Sequence, residues 1–424
     1  MKLTRLLPVF LIFIVSCKTA EHPADTHVAF TGATIIDGSG SPPIHDGVLL
    51  TQNGRIVAVG RKDVVDIPAN TMLRDMTGKT IVPGIINAHG HVGHAKGIEG
   101  GHYSRENVID NLKIYARYGV TTVVSLGDDQ KEAVALRLAN DTTSDRARLF
   151  IAGAVITGKT SEEALAMVDS NHHMGVDFMK IRVDDNLGTS TKMSEDVYRA
   201  VIRRSHDLRH RIATHMYYLE DARKLLEAGS DLIAHSVRDA PVDDAFIELI
   251  KQKKVGYCPT LTREVSTFVY GDTPDFFSDP FFSREYDSLT VKPLRDGSRQ
   301  LQVRNNRNAS IYKQQLPLAM ANLKKLSDHG VPIIFGTDSG VPTRFMGYFE
   351  HMEMQMMAEA GLTPMQIIVS ASKDAAEHMG LNNLGTLSEG HWADFIVLDE
   401  DPLVDIMNMR KISAVFIGGN ELKR

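Results

Sequence analysis

The chain is poor in cysteine, with two in 424 residues, Cys17 and Cys258. Two cannot build the disulfide framework of a small secreted domain. They also cannot form a thiolate zinc site, so any metal must be held by nitrogen and oxygen ligands. Excess positive charge is lacking too. The formal net charge is −6 and no dense run of Lys and Arg occurs, so no nucleic-acid partner is expected. No Gly-x-Gly-x-x-Gly follows an early strand, which removes a dinucleotide-binding sheet. No apolar run is long enough to span a bilayer comfortably. With 43% hydrophobic residues in periodic segments, a disordered chain is excluded, and the length suits one large domain plus a small one.

What is present begins with an address. Lys2 and Arg5 precede an apolar run over 6–15, followed by Ser16-Cys17. That order is a charged region, a short apolar core and a small residue at a cleavage site. Ile14-Val15-Ser16-Cys17 resembles a bacterial lipobox, which implies cleavage before Cys17 and a lipid on its thiol. Residues 1–17 then read as signal peptide and 18–27 as a polar tether. Lys18 follows the cysteine, which places the lipoprotein at the outer membrane, facing the periplasm. The alternative is a plain secretory signal.

Residues 28–80 read as short strands with turns, including a hairpin around Asn53-Gly54, and 386–424 read the same way. Neither segment can bury a core alone, so the two are expected to pair into one small β-sandwich domain. Between them, over 81–385, apolar runs alternate with helical stretches. Eight candidate strands cover 80–88, 121–126, 149–157, 178–183, 211–215, 232–235, 255–260 and 332–336. Helices are expected between most of them, for example over 219–228 and 243–253. This α/β pattern suits a (β/α)₈ TIM-type barrel, with an open doubly wound sheet as the rival. Residues 263–317 break the repeat with a long aromatic and charged segment, read as a lid or substrate wall.

The polar residues at strand ends carry the chemistry. His89-Gly90-His91 closes the first strand, and alternation turns both imidazoles to one side. Alone this says little, because 17 histidines scatter through the chain. But Lys180 lies inside the fourth strand, His215 ends the fifth, His235 ends the sixth and Asp338 follows the eighth. Barrel active sites are built at these C-terminal strand ends. Burying four imidazoles, an ammonium and a carboxylate without a strong partner would be costly, and a pair of divalent metals compensates most simply.

With these residues in place, the sequence resembles the amidohydrolase superfamily, in its binuclear branch with a lysine on strand four. Residues 81–91, the Lys180, His215 and His235 strand ends, Gly336-Thr337-Asp338-Ser339, and the tail over 384–398 carry the likeness. Within the superfamily it looks closest to prolidase-like and ochratoxinase-like peptidases and amidases. The resemblance implies that His89 and His91 bind one metal and His215 and His235 a second. It implies that Lys180 becomes a carbamate with CO₂ and bridges both ions, and that Asp338 touches the first metal and accepts the proton of a bridging hydroxide. Zinc is the first expectation for such N/O ligands. Tyr217 and Tyr218, just beyond His215, are candidate donors to the oxyanion.

The substrate is less legible. Arg238, Arg263 and Arg344 each follow a strand end closely, and guanidinium groups there suit a substrate carboxylate. The competing reading is local ion pairing, since Asp239 and Glu264 sit beside two of them. The expected reaction is hydrolysis of an amide in a dipeptide or N-acyl amino acid. The alternatives are a lactone, carbamate or phosphotriester hydrolase, and a non-catalytic surface lipoprotein that keeps the fold. A mononuclear deaminase is disfavoured: Lys180 would have no role, and no His-x-x-Glu follows strand five. The sequence does not reveal the oligomeric state.

Overall fold

The computed structural model describes residues 26–423. The expected signal peptide and lipidated Cys17 lie outside the described residues. Among the described residues, no helix is long and apolar enough to cross a membrane.

Strands β1 (Val28–Ile35), β2 (Ile44–Gln52), β3 (Arg55–Arg61), β4 (Met72–Asp75) and β5 (Thr80–Pro83) open the chain. β2 and β3 pair antiparallel around Asn53 and Gly54, whose φ angles of 50° and 78° are those a tight two-residue turn needs. The middle carries β6 (Ile85–Gly90), β7 (Val120–Ser125), β8 (Arg148–Ile151), β9 (Phe178–Arg182), β10 (Arg211–His215), β11 (Leu232–Ala234) and β12 (Gly256–Cys258). β13 (Phe395–Leu398), β14 (Ile412–Ile417) and β15 (Asn420–Glu421) end it.

The two chain ends meet in one eight-stranded sheet, ordered β15-β14-β13-β5-β1-β2-β3, with β4 against β1. The strands expected to form a sandwich are thus hydrogen-bonded as a single continuous sheet. Phe30, Phe395 and Phe416 form its aromatic centre, with Phe395 stacked on Phe416 at 4.4 Å. A buried ion pair ties this sheet to the middle segment: Arg148 Nε lies 2.6 Å from Asp394 Oδ2.

The middle strands are parallel. β6-β7-β8 form one sheet and β9-β10-β11-β12 another, with helices between most successive strands. Isolated parallel bridges join Ile156 to Ile181, Tyr257 to Ile333 and Gly90 to Ser339. The expected eighth strand, 332–336, has no ladder of its own but is bonded on both sides: Tyr257 N–H donates to the Pro332 carbonyl, Ile334 N–H to the Tyr257 carbonyl and Ala88 N–H to the Phe335 carbonyl, each at 2.9 Å. The helix expected over 219–228 is Leu219–Ala228, and the next runs Asp244–Lys253 with the Asp243 side chain capping its first turn.

One expectation needs correction. The single strand expected over 80–88 is two strands, β5 in the terminal sheet and β6 in the parallel one. Gly84 separates them where β6 lies against β7, and a Cβ on Gly84 would sit 2.0 Å from Thr121 Oγ1. The segment 263–317, read as a lid or substrate wall, is tied down by its aromatic residues. It is mostly helical, and Phe277, Phe282 and Tyr286 are buried against Tyr118, Phe345, Tyr348 and Phe349. Aromatic area of that size is better buried than left in water.

The absent side chain at Gly84 makes a testable demand. Gly84→Ala is expected to destabilise the protein by about 1–3 kcal/mol through overpacking against Thr121. Chemical denaturation should show a lower midpoint, and Thr121→Ser in the same chain should recover part of the loss.

Candidate metal centre

His89 lies in β6, Lys180 in β9, and His215 closes β10. His235 comes directly after β11, and Asp338 follows the eighth segment. All six predicted residues, with His91, are nearly or fully buried. Strand alternation and parallel register bring their side chains to one end of the sheets. The chain turns sharply there: φ is 88° at His235, 46° at Thr260 and 59° at Asp338, values that L-residues rarely adopt. Such strain clusters at functional sites, where the surroundings impose it.

The structure brings the six into one cluster. One ligand atom from each of His89, His91 and Asp338 lies within 4.8 Å of the others. Asp338 Oδ1 is 2.8 Å from His91 Nε2 and 3.6 Å from His89 Nε2. Lys180 Nζ lies 3.1 Å from His89 Nε2. The His235 ring stands 4.7 Å from that of His89 and 4.3 Å from that of His215.

Electrostatics hold the cluster ready for a cation. Burial pushes His89 and His235 well below the usual imidazole range, with Lys180 adding to it for His89 and His215 for His235. Burial likewise brings His215 down to about 3. All three are therefore neutral, the form that ligates metals. Burial also lowers the Lys180 ammonium to about 8. Asp338 is pushed up by burial, but the Arg344 charge and the His91 hydrogen bond outweigh that and hold it well below the carboxylate range. His89 Nδ1 is buried with no hydrogen-bond partner among the described residues, a state with a price unless a ligand occupies it. Neutral imidazoles, a carboxylate and an orphaned nitrogen suit a divalent ion bound by N and O.

Sequence reading missed the partners behind these rings. His215 Nε2 pairs with Asp184 Oδ2 at 2.8 Å, leaving Nδ1 for the cluster. His235 Nδ1 pairs with Thr260 Oγ1 at 2.7 Å, leaving Nε2. His91 Nδ1 meets the Gly127 carbonyl at 3.3 Å. Partners of this kind fix ring orientation and tautomer. An acid two residues past a strand was the available signal for Asp184, but its contact with His215 spans two parallel strands.

The arginines divide. Arg344 donates through Nη1 to Asp338 Oδ2 and through Nε to Ser266 Oγ at 3.0 Å, so it stands at the cluster itself. Arg238 and Arg263 are buried around one carboxylate, Glu264, at 3.2 and 3.0 Å. Asp239 is not their partner; it accepts from the Leu219 N–H. The Arg238 guanidinium lies 4.6 Å over the Tyr217 ring and that of Arg263 4.8 Å over Tyr312. Arg238 Nη2 and Arg263 Nε still lack hydrogen-bond partners among the described residues. The candidate oxyanion donors are engaged elsewhere: the Tyr217 hydroxyl donates to Gln315, and that of Tyr218 to Asp185 Oδ1 at 3.1 Å. Tyr312 and Gln315 come from the segment read as a wall, in the helix Arg307–Asp328.

Known proteins agree with this arrangement. The model of the Amidohydrolase family matches residues 80–422. An enamidase of Eubacterium barkeri is 28% identical over 88 residues, which span 20% of this chain and 21% of the enamidase. The match thus covers only about a fifth of that relative. The crystal structure of a putative prolidase from Bifidobacterium longum superposes with a TM-score of 0.74 at 25% identity, covering 95% of this chain and 96% of that one. The ochratoxinase of A. niger gives 0.74 at 16% identity, covering 94% and 96%. Having a family match over most of its length and the His–His–Asp cluster in place, the chain belongs to the amidohydrolase family.

Proposed function

We propose that the chain is a metal-dependent hydrolase of carbon–nitrogen bonds, acting on an amide that carries a carboxylate, such as a dipeptide or N-acyl amino acid. The observation that carries this reading is the placement of a surplus positive charge beside the His–His–Asp cluster. Arg344 is paired by Asp338, but Arg238 and Arg263 share only Glu264. A substrate carboxylate would take up the remaining charge and the orphaned guanidinium donors. The putative prolidase and ochratoxinase folds, both named for hydrolases, support the same class.

The two parallel sheets and their linking bridges are read as arcs of a (β/α)₈ barrel over 81–385. The sheet from 28–80 and 386–424 is read as the small second domain. His89, His91, His215, His235, Asp338 and a carboxylated Lys180 would hold two divalent ions, zinc first. Ions held there would activate a water and polarise the scissile carbonyl. Asp338 takes the proton of the attacking water and returns it to the leaving nitrogen as the C–N bond breaks. Arg344 fixes the second oxygen of Asp338, so that Oδ1 keeps facing the histidines. Arg263 and Arg238 orient the far end of the substrate. The lipobox-like Ser16-Cys17 puts this activity in a bacterial envelope, anchored through Cys17.

The holoprotein should hydrolyse dipeptides or N-acyl amino acids in a panel that also holds their decarboxylated analogues, lactones, carbamates and phosphotriesters. Metal analysis should find about two ions per chain, as a two-metal site requires. Lys180→Ala is expected to lose metal and most activity; two retained metals with full activity would sink the binuclear reading. Turnover confined to lactones, carbamates or phosphotriesters would replace the amide assignment.

Arg263→Met tests the carboxylate contact, because Glu264 keeps Arg238 as its partner. Loss of one charged hydrogen bond of about 2 kcal/mol should raise KM for carboxylate-bearing amides roughly thirtyfold. Amides without the carboxylate should be unaffected in steady-state kinetics.

A further inference from the structure

The helix Tyr348–Glu359 carries two fully buried carboxylates, Glu350 and Glu353, which the proposed reaction does not use. Glu350 Oε1 accepts three hydrogen bonds, from Asn87 Nδ2 at 2.6 Å, Thr337 Oγ1 at 2.7 Å and Ser339 Oγ at 2.6 Å. Each donor is next to, or two residues from, a member of the His89–His91–Asp338 cluster.

Asn87 turns its carbonyl end, Oδ1, to accept the backbone N–H of His89 at 3.0 Å. Thr337 and Ser339 bracket Asp338, and the Ser339 N–H donates to Thr337 Oγ1 at 3.1 Å. The Ser339 hydroxyl is 2.7 Å from that of Tyr115, which donates to the His91 carbonyl at 3.2 Å. The His91 N–H in turn donates to the Ser339 carbonyl at 2.8 Å. One carboxylate oxygen therefore reaches the backbone around all three residues, across strand ends that are far apart in sequence.

Glu353, one turn on, is buried to the same degree but holds different backbone. It accepts from the N–H groups of Leu261 and Thr262 at 2.7 and 2.8 Å and from the Thr262 hydroxyl at 2.7 Å. Those residues begin the helix Leu261–Phe268 and meet the flank of the cluster at one point, the Thr262 hydroxyl 3.2 Å from the Thr337 carbonyl, rather than around all three residues.

Burying a carboxylate is costly, and packing alone would be served as well by an apolar residue. A buried, well-connected polar network instead fixes one geometry. We infer that Glu350 is a positioning residue that sets the mutual placement of His89, His91 and Asp338, and so the affinity of that cluster for a divalent ion. This goes beyond the amide-hydrolase reading and does not depend on it, because metal affinity is read without any substrate.

The experiment titrates zinc into metal-free protein in competition with a chromophoric chelator. Glu350→Gln keeps size and shape, and Glu353→Gln serves as its control on the same helix. Folding is checked by circular dichroism and thermal unfolding. Zinc affinity should fall by about tenfold or more in Glu350→Gln, which turns three charge-assisted bonds to Oε1 into weaker neutral ones and puts an amide N–H₂ where the unpartnered Oε2 lies. In Glu353→Gln it should stay within about twofold, even where the melting temperature falls as far.

Unchanged affinity in a folded Glu350→Gln overturns the inference. So does equal weakening in both variants, which would mean that the helix loosens the site as a whole. If Glu350→Gln does not fold, Ser339→Ala decides. It leaves the carboxylate in place and removes one of its three donors, and an unchanged zinc affinity there overturns the inference equally.

Discussion

Six ionisable side chains share a dry pocket at the ends of parallel strands, and the cost of keeping them there shapes the rest of the site. Desolvation is the largest influence on His89, His215, His235, Lys180 and Asp338 alike. It drives the three histidines neutral and weakens the lysine charge, while Arg344 and His91 keep the aspartate ionised. The outcome is a set of lone pairs brought close together in a mostly buried site, which a cation satisfies better than any protein group present. The left-handed backbone at His235, Thr260 and Asp338 adds about 1–3 kcal/mol of strain at each position. Backbone bonds from His235 N to the Cys258 carbonyl at 2.9 Å and from Asp338 N to the His89 carbonyl at 2.6 Å hold those turns.

Much of this was legible in the sequence because it is local. A short apolar run followed by a polar residue identifies a strand and the group at its end, and the runs ending at His215 and His235 do so without further information. Where packing between elements decided, the sequence was silent. Gly84 breaks a run that reads as one strand because Thr121, thirty-seven residues later, occupies the space of its missing Cβ. The eighth segment reads as a strand from Pro332, and its backbone bonds to Tyr257 on one side and to Ala88 and His89 on the other are too irregular to make a continuous ladder. The burial of the aromatic stretch around Phe277 was not legible, because its partners, Tyr118 and Phe345–Phe349, are distant in the chain.

The supporting residues were hidden for the same reason. Asp184 looks like an ordinary loop acid until β9 and β10 lie side by side. Glu350 and Glu353 look like routine helix residues. There was one signal. Tyr348-Phe349-Glu350-His351-Met352-Glu353-Met354 has acids three apart on a helix rich in aromatic residues and methionines, with no broad polar face to receive them. Charges without a polar face need buried donors, and here the donors are the strand ends.

This arrangement links two sites that the chemistry must hold at a fixed separation. The helix Tyr348–Glu359 touches the His–His–Asp cluster through Glu350 and the start of the helix bearing Arg263 through Glu353. Arg344 sits between them, donating to Asp338 on one side and to Ser266 of that same helix on the other. Side chains on one helix turn stand only about 5–6 Å apart. Two buried carboxylates at that spacing therefore fix the distance from the His–His–Asp cluster to the start of the helix that bears Arg263. Catalysis between two such groups would need that distance held to a fraction of an ångström, since misplacement by about 1 Å can cost a hundredfold in rate. Rigid hydrogen-bonded acids on one helix meet that tolerance better than apolar packing, because each fixes direction as well as contact.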